Sequence, residues 1–336
     1  MANYLINQKS GGEYYFYKPY EGICVRKRNP SGTWQDHTQV IALGIEPFSV
    51  YQASDLSIHI VCVDAENKLV YATKRNNVWK KYTIARFAEG IFLSDIQLYS
   101  VRGRLNVLYS ALYNGENLLI HCILGNHAKP STISVLENSH FFIFDTRVYC
   151  TNSAGVLGFY DLNDEKPSFF NKVLENSHHA SVWSYEGKEF LLFIRDSCLY
   201  INEKKILKDE RIENPVFIAG ADRIYVMWKS GSFIRYISSF NGGFTWSEPM
   251  RFINTGSAFK LYRFQSGNMA GHYYGYENGN NLTILGMPDL FKKDATFEEN
   301  DQLSKIKLQL DTKTKEAEQA KKEVERLNKL LSGLMP

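Results

Sequence analysis

The chain has 336 residues, 44% of them hydrophobic and 22% charged, the balance of a water-soluble protein long enough to bury a substantial core. Its net charge of +3 is spread along the sequence with no basic block, which argues against nucleic acid as a partner, and no run approaches the roughly eighteen apolar residues of a membrane span. The 21 Tyr and 21 Phe favour strands over helices.

The opening residues, MANYLINQKSGGEYYFY, lack the basic start and apolar run of a secretion signal. Cys24, Cys62, Cys122, Cys150 and Cys198 are odd in number and widely spaced inside apolar runs, so they read as reduced core residues, with neither disulfides nor a metal expected. Both features predict synthesis in the cytoplasm, and they fit equally a protein later assembled into a spore, virion or cell-surface structure. No phosphate-binding loop, dinucleotide fingerprint, nucleophile elbow or zinc spacing occurs, so no cofactor and no catalytic residue is assigned.

From the N-terminus onward one unit recurs: an apolar strand, a short polar turn, then a second and more strongly apolar strand. It reads as YLINQKSGGEYYFY, SVYQASDLSIHIVCV, IQLYSVRGRLNVLY, FFIFDTRVYC, SVWSYEGKEFLLFI, VFIAGADRIYVMW and KLYRFQSGNMAGHYYGY. Turns are predicted after Asn7, Tyr51, Tyr99, Phe144, Trp183, Ile218 and Phe264, roughly 35 to 48 residues apart, the length of a four-stranded propeller blade. NKLVYATKRNNVWKKYTIA and FIRYISSFNGGFTWSEPMRF supply third and fourth strands. The expected fold is all-β, a β-propeller of about seven four-stranded blades over residues 1–290. Pro288 leaves the last unit with a weak or missing fourth strand.

Within this repeat the hexapeptide VLENSH occurs twice, at 135–140 and 173–178. Both copies fall where the last strand of one unit hands over to the first strand of the next. They place Glu137, Asn138 and His140 beside Glu175, Asn176 and His178, with His179 adjacent, and such groups can bond sugar hydroxyls, or two His with two Glu can hold a divalent metal. They are also ordinary turn residues, a use that needs no ligand. The turns YKPYEG, ALYNGEN, RDS and GYENGN would share that face and display Tyr20, Tyr113, Arg195 and Tyr276. The aromatics suit stacking on sugar rings, or equally a lid on the core.

Residues 239–246, SFNGGFTW, resemble the Asp-box of sialidases and related propellers, S-x-D-x-G-x-T-W. Ser239, Gly243, Thr245 and Trp246 match, and Asn241 replaces the Asp. The resemblance implies a structural turn between third and fourth strands, on the face away from the active site. The arginines of a sialidase site are not matched: Arg-Ile-Pro is absent, Arg26 and Arg28 are expected to face solvent, and Arg223 and Arg263 lie nearer the axis but read as surface residues.

Beyond Pro288 the composition turns to Lys, Glu, Gln and Leu, and Thr296 with Glu299 makes a capping box. Leu303, Ile306, Leu310, Lys313, Ala317, Ala320, Val324, Leu327, Leu331 and Leu334 alternate three and four apart, the seam of a coiled coil. With Leu303 at the first heptad position, Glu316 can pair with Lys321 of a parallel neighbour. Residues 291–336 are therefore expected to form a linker and a parallel homo-oligomerisation helix, dimeric or trimeric. The expected function is non-catalytic, multivalent binding of a surface ligand such as a carbohydrate or an envelope, spore or virion component. The alternatives are a sialidase-like glycoside hydrolase and a protein-interaction scaffold.

Overall fold

A computed structural model of the protein describes residues 3–285, apart from segments at 9–11, 20–21, 29–33, 77, 126–129, 164–166, 168, 176, 186, 210, 220–222, 253–257, 267–268 and 279–280. The predicted C-terminal helix lies outside the described residues, as does Tyr20. The described residues form strands and turns only.

The chain opens with the antiparallel meander β1 (Asn3–Gln8), β2 (Gly12–Tyr17), β3 (Gly22–Arg28) and β4 (Thr38–Ala42), followed by β5 (Gly44–Gln52), β6 (Ile58–Asp64), β7 (Lys68–Arg75) and β8 (Val78–Arg86). Next come β9 (Phe92–Val101), β10 (Arg104–Tyr113), β11 (Glu116–Ile123), β12 (Ser131–Phe144), β13 (Arg147–Asn152), β14 (Val156–Asp161) and β15 (Asn171–Glu175), which form one continuous seven-stranded sheet. Two four-stranded sheets follow: β16 (His178–Tyr185), β17 (Lys188–Arg195), β18 (Cys198–Ile201) and β19 (Lys204–Lys208), then β20 (Glu213–Ala219), β21 (Ile224–Ser230), β22 (Phe233–Ser239) and β23 (Met250–Phe252). The last three strands, β24 (Lys260–Ser266), β25 (Met269–Asn278) and β26 (Asn281–Ile284), join the first meander through a parallel pairing of β24 with β1.

The predicted turns after Asn7, Tyr51, Tyr99, Phe144, Trp183, Ile218 and Phe264 each fall at a first-to-second-strand connection of this series. Strand β12 is longer than the pattern anticipates. It pairs with β11 through Ser131–Leu136 and with β13 through Phe141–Phe144, so one strand serves two meanders.

The sheets stack face to face around an axis, and the burial pattern follows from that. Strand β6, IHIVCVD, is buried on both sides: Ile58, Ile60 and Cys62 pack with Tyr4, Phe16 and Ile23, while Val61 and Val63 pack with Ile96, Leu98 and Tyr109. Each such apolar side chain contributes about 1.5–3 kcal/mol when buried. The outer strand β8, VWKKYTIAR, is mostly exposed and carries Lys80 and Lys81 at its edge, a charge placement that discourages pairing with other chains.

The last strands pack on the first. Leu5 and Tyr15 share a core with Tyr262, Phe264 and Leu282. A polar clasp sits beside it: the Glu277 carboxylate accepts from the Tyr15 hydroxyl at 2.7 Å, the Tyr262 hydroxyl at 3.0 Å and Lys260 at 3.0 Å. Burial alone would raise the Glu277 pKa, but these donors outweigh it and hold the carboxyl below its ordinary range. With its ends joined in this way, the molecule is an all-β propeller.

Candidate functional site

In a propeller the first strand of each meander lies innermost, so side chains from remote parts of the sequence meet at the axis. Near the starting ends of these strands they enclose a cavity of about 160 Å³. Asp95 of β9, Asn138, His140 and Phe142 of β12, Tyr149 and Thr151 of β13, Ser181 of β16, Asn214 of β20, Arg263 of β24 and His272 of β25 line it.

The centre of the cavity is an ion pair between two strands separated by 168 residues. Arg263 Nη2 donates to Asp95 Oδ1 at 3.3 Å, and Nη1 donates to the Tyr4 hydroxyl at 2.9 Å. Asp95 is held in turn: Oδ1 accepts the Ile96 amide at 2.8 Å, and Oδ2 accepts Gln97 Nε2 at 3.3 Å. That same Gln97 amide reaches the Phe141 carbonyl at 3.0 Å and ties β9 to β12. Burial opposes the Arg263 charge, but Tyr4 and Asp95 overcome it and keep the guanidinium pKa above its ordinary value. The two side chains are still 25% and 18% exposed, so water reaches them through the cavity.

Asn138, Thr151, Ser181 and Asn214 on the wall carry no charge. Burial, followed by the Arg263 charge opposite, lowers the His272 pKa to about 3, leaving the imidazole uncharged near neutral pH. The Ser181 hydroxyl is buried and has no hydrogen-bond partner among the described residues. Phe142 and Tyr149 stack with centroids 4.9 Å apart and planes 5° from parallel, giving the wall an apolar surface. Among the described residues no group of three or more His, Cys, Asp and Glu could hold a metal ion.

Arg263 and His272 also border a second cavity of about 280 Å³ towards the far ends of the inner strands. Tyr4, Ser49, Tyr51, Gln97, Tyr99 and Asp145 line it. The axial passage is thus divided by the Arg263–Asp95–Tyr4 contacts into two chambers.

The first VLENSH copy lies at the crossover within β12, as expected, and brings Asn138 and His140 to the 160 Å³ cavity. Asn138 Oδ1 accepts the His140 backbone N–H at 3.0 Å, the local turn bond that such a residue makes without a ligand. Glu137 is exposed and points to the turn at Gly155 instead of the cavity. In the second copy Glu175 is exposed and ion-paired with Lys172. Asn176 and the side chains of His178 and His179 lie outside the described residues.

The exposed-turn candidates behave differently from one another. Tyr113 is 45% exposed beside an Asn114–Gly115 turn whose two residues have φ of 50° and 82°, the left-handed pair that a tight hairpin needs. Arg195 lies over the Tyr200 ring at 4.6 Å. Tyr276 meets Phe259 edge-on at 5.9 Å within an apolar cluster, so it closes the core and does not face the cavity. Arg28 is bound to Glu13 at 2.9 Å and Arg26 lies over Tyr17, so neither simply faces solvent. Arg263, expected as a surface residue, is enclosed at the axis.

Residues 239–246 form the turn between β22 and β23. Asn241 Oδ1 accepts the Thr245 amide at 3.0 Å and the Ser239 hydroxyl at 3.0 Å, while Asn241 Nδ2 donates to Thr245 Oγ1 at 2.9 Å. Ser239 Oγ accepts the Gly243 amide at 2.9 Å, and Gly243 sits at φ 86°, where a side chain would be strained and would meet Phe190. Trp246 packs half-buried on the core that contains Trp228 and Ile237.

No protein-family model matches the chain, and no curated protein matches it in sequence. Among solved structures, the AfRom2 CNH domain aligns with a TM-score of 0.53 at 13% identity, over 84% of this chain and 92% of that one. A fucose-recognising lectin of Aleuria aurantia, described as a six-bladed propeller, aligns with a TM-score of 0.45 at 10% identity, over 84% and 89% of the two chains. A Trypanosoma rangeli sialidase aligns at 0.40 and 8% identity, over 76% and 56%. At these identities the likeness is one of fold. With TM-scores below 0.5, the lectin and the sialidase contribute nothing to the reading of the cavity.

Proposed function

We propose that this protein is a non-catalytic binding protein whose axial cavity takes a carbohydrate, or a similar hydroxyl-rich part of a repetitive surface. One observation carries the reading: hydrogen-bonding side chains from β9, β12, β13, β16, β20, β24 and β25 converge on a single water-accessible cavity that also offers the Phe142 and Tyr149 rings. Concave sites with a few convergent polar groups on an apolar lining are the usual form of small-ligand sites.

The finer architecture belongs to the same proposal. Counted by meanders, with β12 shared, the ring has seven blades, the last of three strands among the described residues; the supporting fact is the recurrence of the first-strand turn. The 239–246 turn is read as an Asp-box with Asn241 in the acidic position, supported by the bonds that Asn241 makes across it. Residues 1–290 are the propeller and 291–336 a linker and parallel coiled coil that sets several cavities side by side. Such an array raises weak single-site binding by roughly 10² to 10⁴ when its spacing suits the target.

Hydrolysis is the second reading, and its best candidate is the phenol and carboxylate of Tyr15 and Glu277, 2.7 Å apart. Tyr15 is 5% exposed within the clasp that joins the chain ends, and Glu277 lies outside the axial cavity. Binding is therefore the better reading.

The test is binding of the full chain, and of a chain shortened after Pro288, to a glycan array. Binding by the full chain that collapses on shortening is the expected result, and silence from the full chain overturns the proposal. Leu327→Asp with Leu331→Asp should convert the oligomer to monomers by light scattering; an unchanged mass would refute the coiled coil.

A further inference from the structure

Resting on the reading of the axial cavity as a carbohydrate site, we propose that its ligand is a single uncharged sugar ring and not an acidic sugar. The charge pattern on the wall is the first argument. Arg263 and Asp95 neutralise each other at 3.3 Å, and of the remaining polar groups on the wall Asn138, Thr151, Ser181 and Asn214 carry no charge, leaving the two imidazoles, His140 and His272, as its other nitrogen bases. An acidic ligand would enter beside the Asp95 carboxylate with a guanidinium already engaged by Asp95 and Tyr4. Desolvating a second anion there is offset by no buried cation other than the engaged Arg263, since the His140 side chain is exposed to solvent, where a charge compensates little. The His272 imidazole is neutral and adds none.

Hydrogen bonding and shape are the second and third arguments. The buried Ser181 hydroxyl has no partner among the described residues, and leaving such a group unpaired is unfavourable, so it suits a ligand that both donates and accepts. Sugar hydroxyls do both. The Phe142 and Tyr149 rings give an apolar wall for the C–H face of a pyranose. The cavity, at about 160 Å³, is roughly half the smallest volume usual for drug-sized ligands, which matches one ring and not an extended oligomer.

The experiment is calorimetric titration of the full chain with methyl glycosides of glucose, galactose, mannose, fucose and N-acetylglucosamine. Methyl glucuronide and the methyl glycoside of N-acetylneuraminic acid are titrated alongside, each at low and high salt. At least one neutral glycoside should bind with a Kd that changes less than about twofold with salt, since no ligand charge is screened. Ser181→Ala should weaken it by about three- to tenfold, the loss of one hydrogen bond. Asp95→Asn, which frees the Arg263 charge, should shift preference towards the acidic sugars. Tighter, salt-sensitive binding of an acidic sugar by the unaltered protein overturns the neutral-ring inference while leaving carbohydrate binding intact. Binding of a neutral glycoside that Ser181→Ala leaves unchanged overturns the placement in this cavity. Failure of every glycoside to bind overturns both this inference and the function on which it rests.

Discussion

The axial cavity and the 239–246 turn are both dense in polar side chains, yet they use them in opposite ways. In the turn, Ser239, Asn241 and Thr245 satisfy one another and the Gly243 amide within seven residues, leaving only the buried Trp246 indole nitrogen without a partner among the described residues. In the cavity the charged groups are matched across the whole chain, Arg263 to Asp95, while the Ser181 hydroxyl remains open. Local closure produces a rigid corner, whereas the proposed site is assembled from residues far apart in the sequence.

The ion pair gives the largest way to break this contrast. Arg263→Ala leaves Asp95 in a mostly enclosed site without its cation, and should lower unfolding free energy by about 3–5 kcal/mol in urea titration. Replacing both partners, Arg263→Met with Asp95→Leu, should recover much of that stability while abolishing ligand binding, because the pair positions the wall more than it stabilises it. A single substitution with no cost would mean that solvent in the cavity already screens the pair, and the axis would then be no more demanding than the surface turn.

How much of this was legible in the sequence follows from the same contrast. Turns, strands and the SFNGGFTW corner announce themselves because their partners lie within a few residues: Asn241 reaches Thr245, and Asn114–Gly115 folds back on itself. The VLENSH repeat marked one strand-to-strand crossover and led to Asn138 and His140 at the cavity. Nothing local distinguishes Arg263 in FKLYRF from a surface arginine, or Asp95 in LSDIQ from a turn aspartate. Their roles arise only when ring closure brings β24 opposite β9. What the sequence did not mark is that the crossover stays within one strand, β12, whose register shifts between Leu136 and Phe141.

Acid separates the two regions next. The 239–246 turn contains no titratable side chain, whereas the cavity holds His272 neutral with a pKa of about 3, and His59, beside Ser57 and Tyr71, is similarly held at about 4 by burial. In the unfolded chain both imidazoles take up protons near pH 6.5, so the unfolded state binds more protons below that value and stability falls with pH. The contribution is full above about 6.5 and is lost as pH drops towards 4 and then 3, on the order of 3 kcal/mol for His59 and about 5 kcal/mol for His272. Stability measured between pH 7 and 4 should fall less steeply in His272→Gln, and an unchanged slope would place the acid sensitivity elsewhere.

The smallest effect sharpens the comparison most, because it tests closure without touching charge. Asn241→Ala removes the acceptor for the Thr245 amide and the Ser239 hydroxyl and the donor to Thr245, and should cost about 1–2 kcal/mol while leaving ligand affinity unchanged. Asn241→Asp keeps both acceptor bonds, and the Thr245 hydroxyl can rotate to donate to the new carboxylate. Its stability should stay within about 0.5 kcal/mol of the original. If Asn241→Ala weakened ligand binding as strongly as Ser181→Ala, the turn and the cavity would have to communicate through β22 and β21, and the division between a closed corner and an open site would fail.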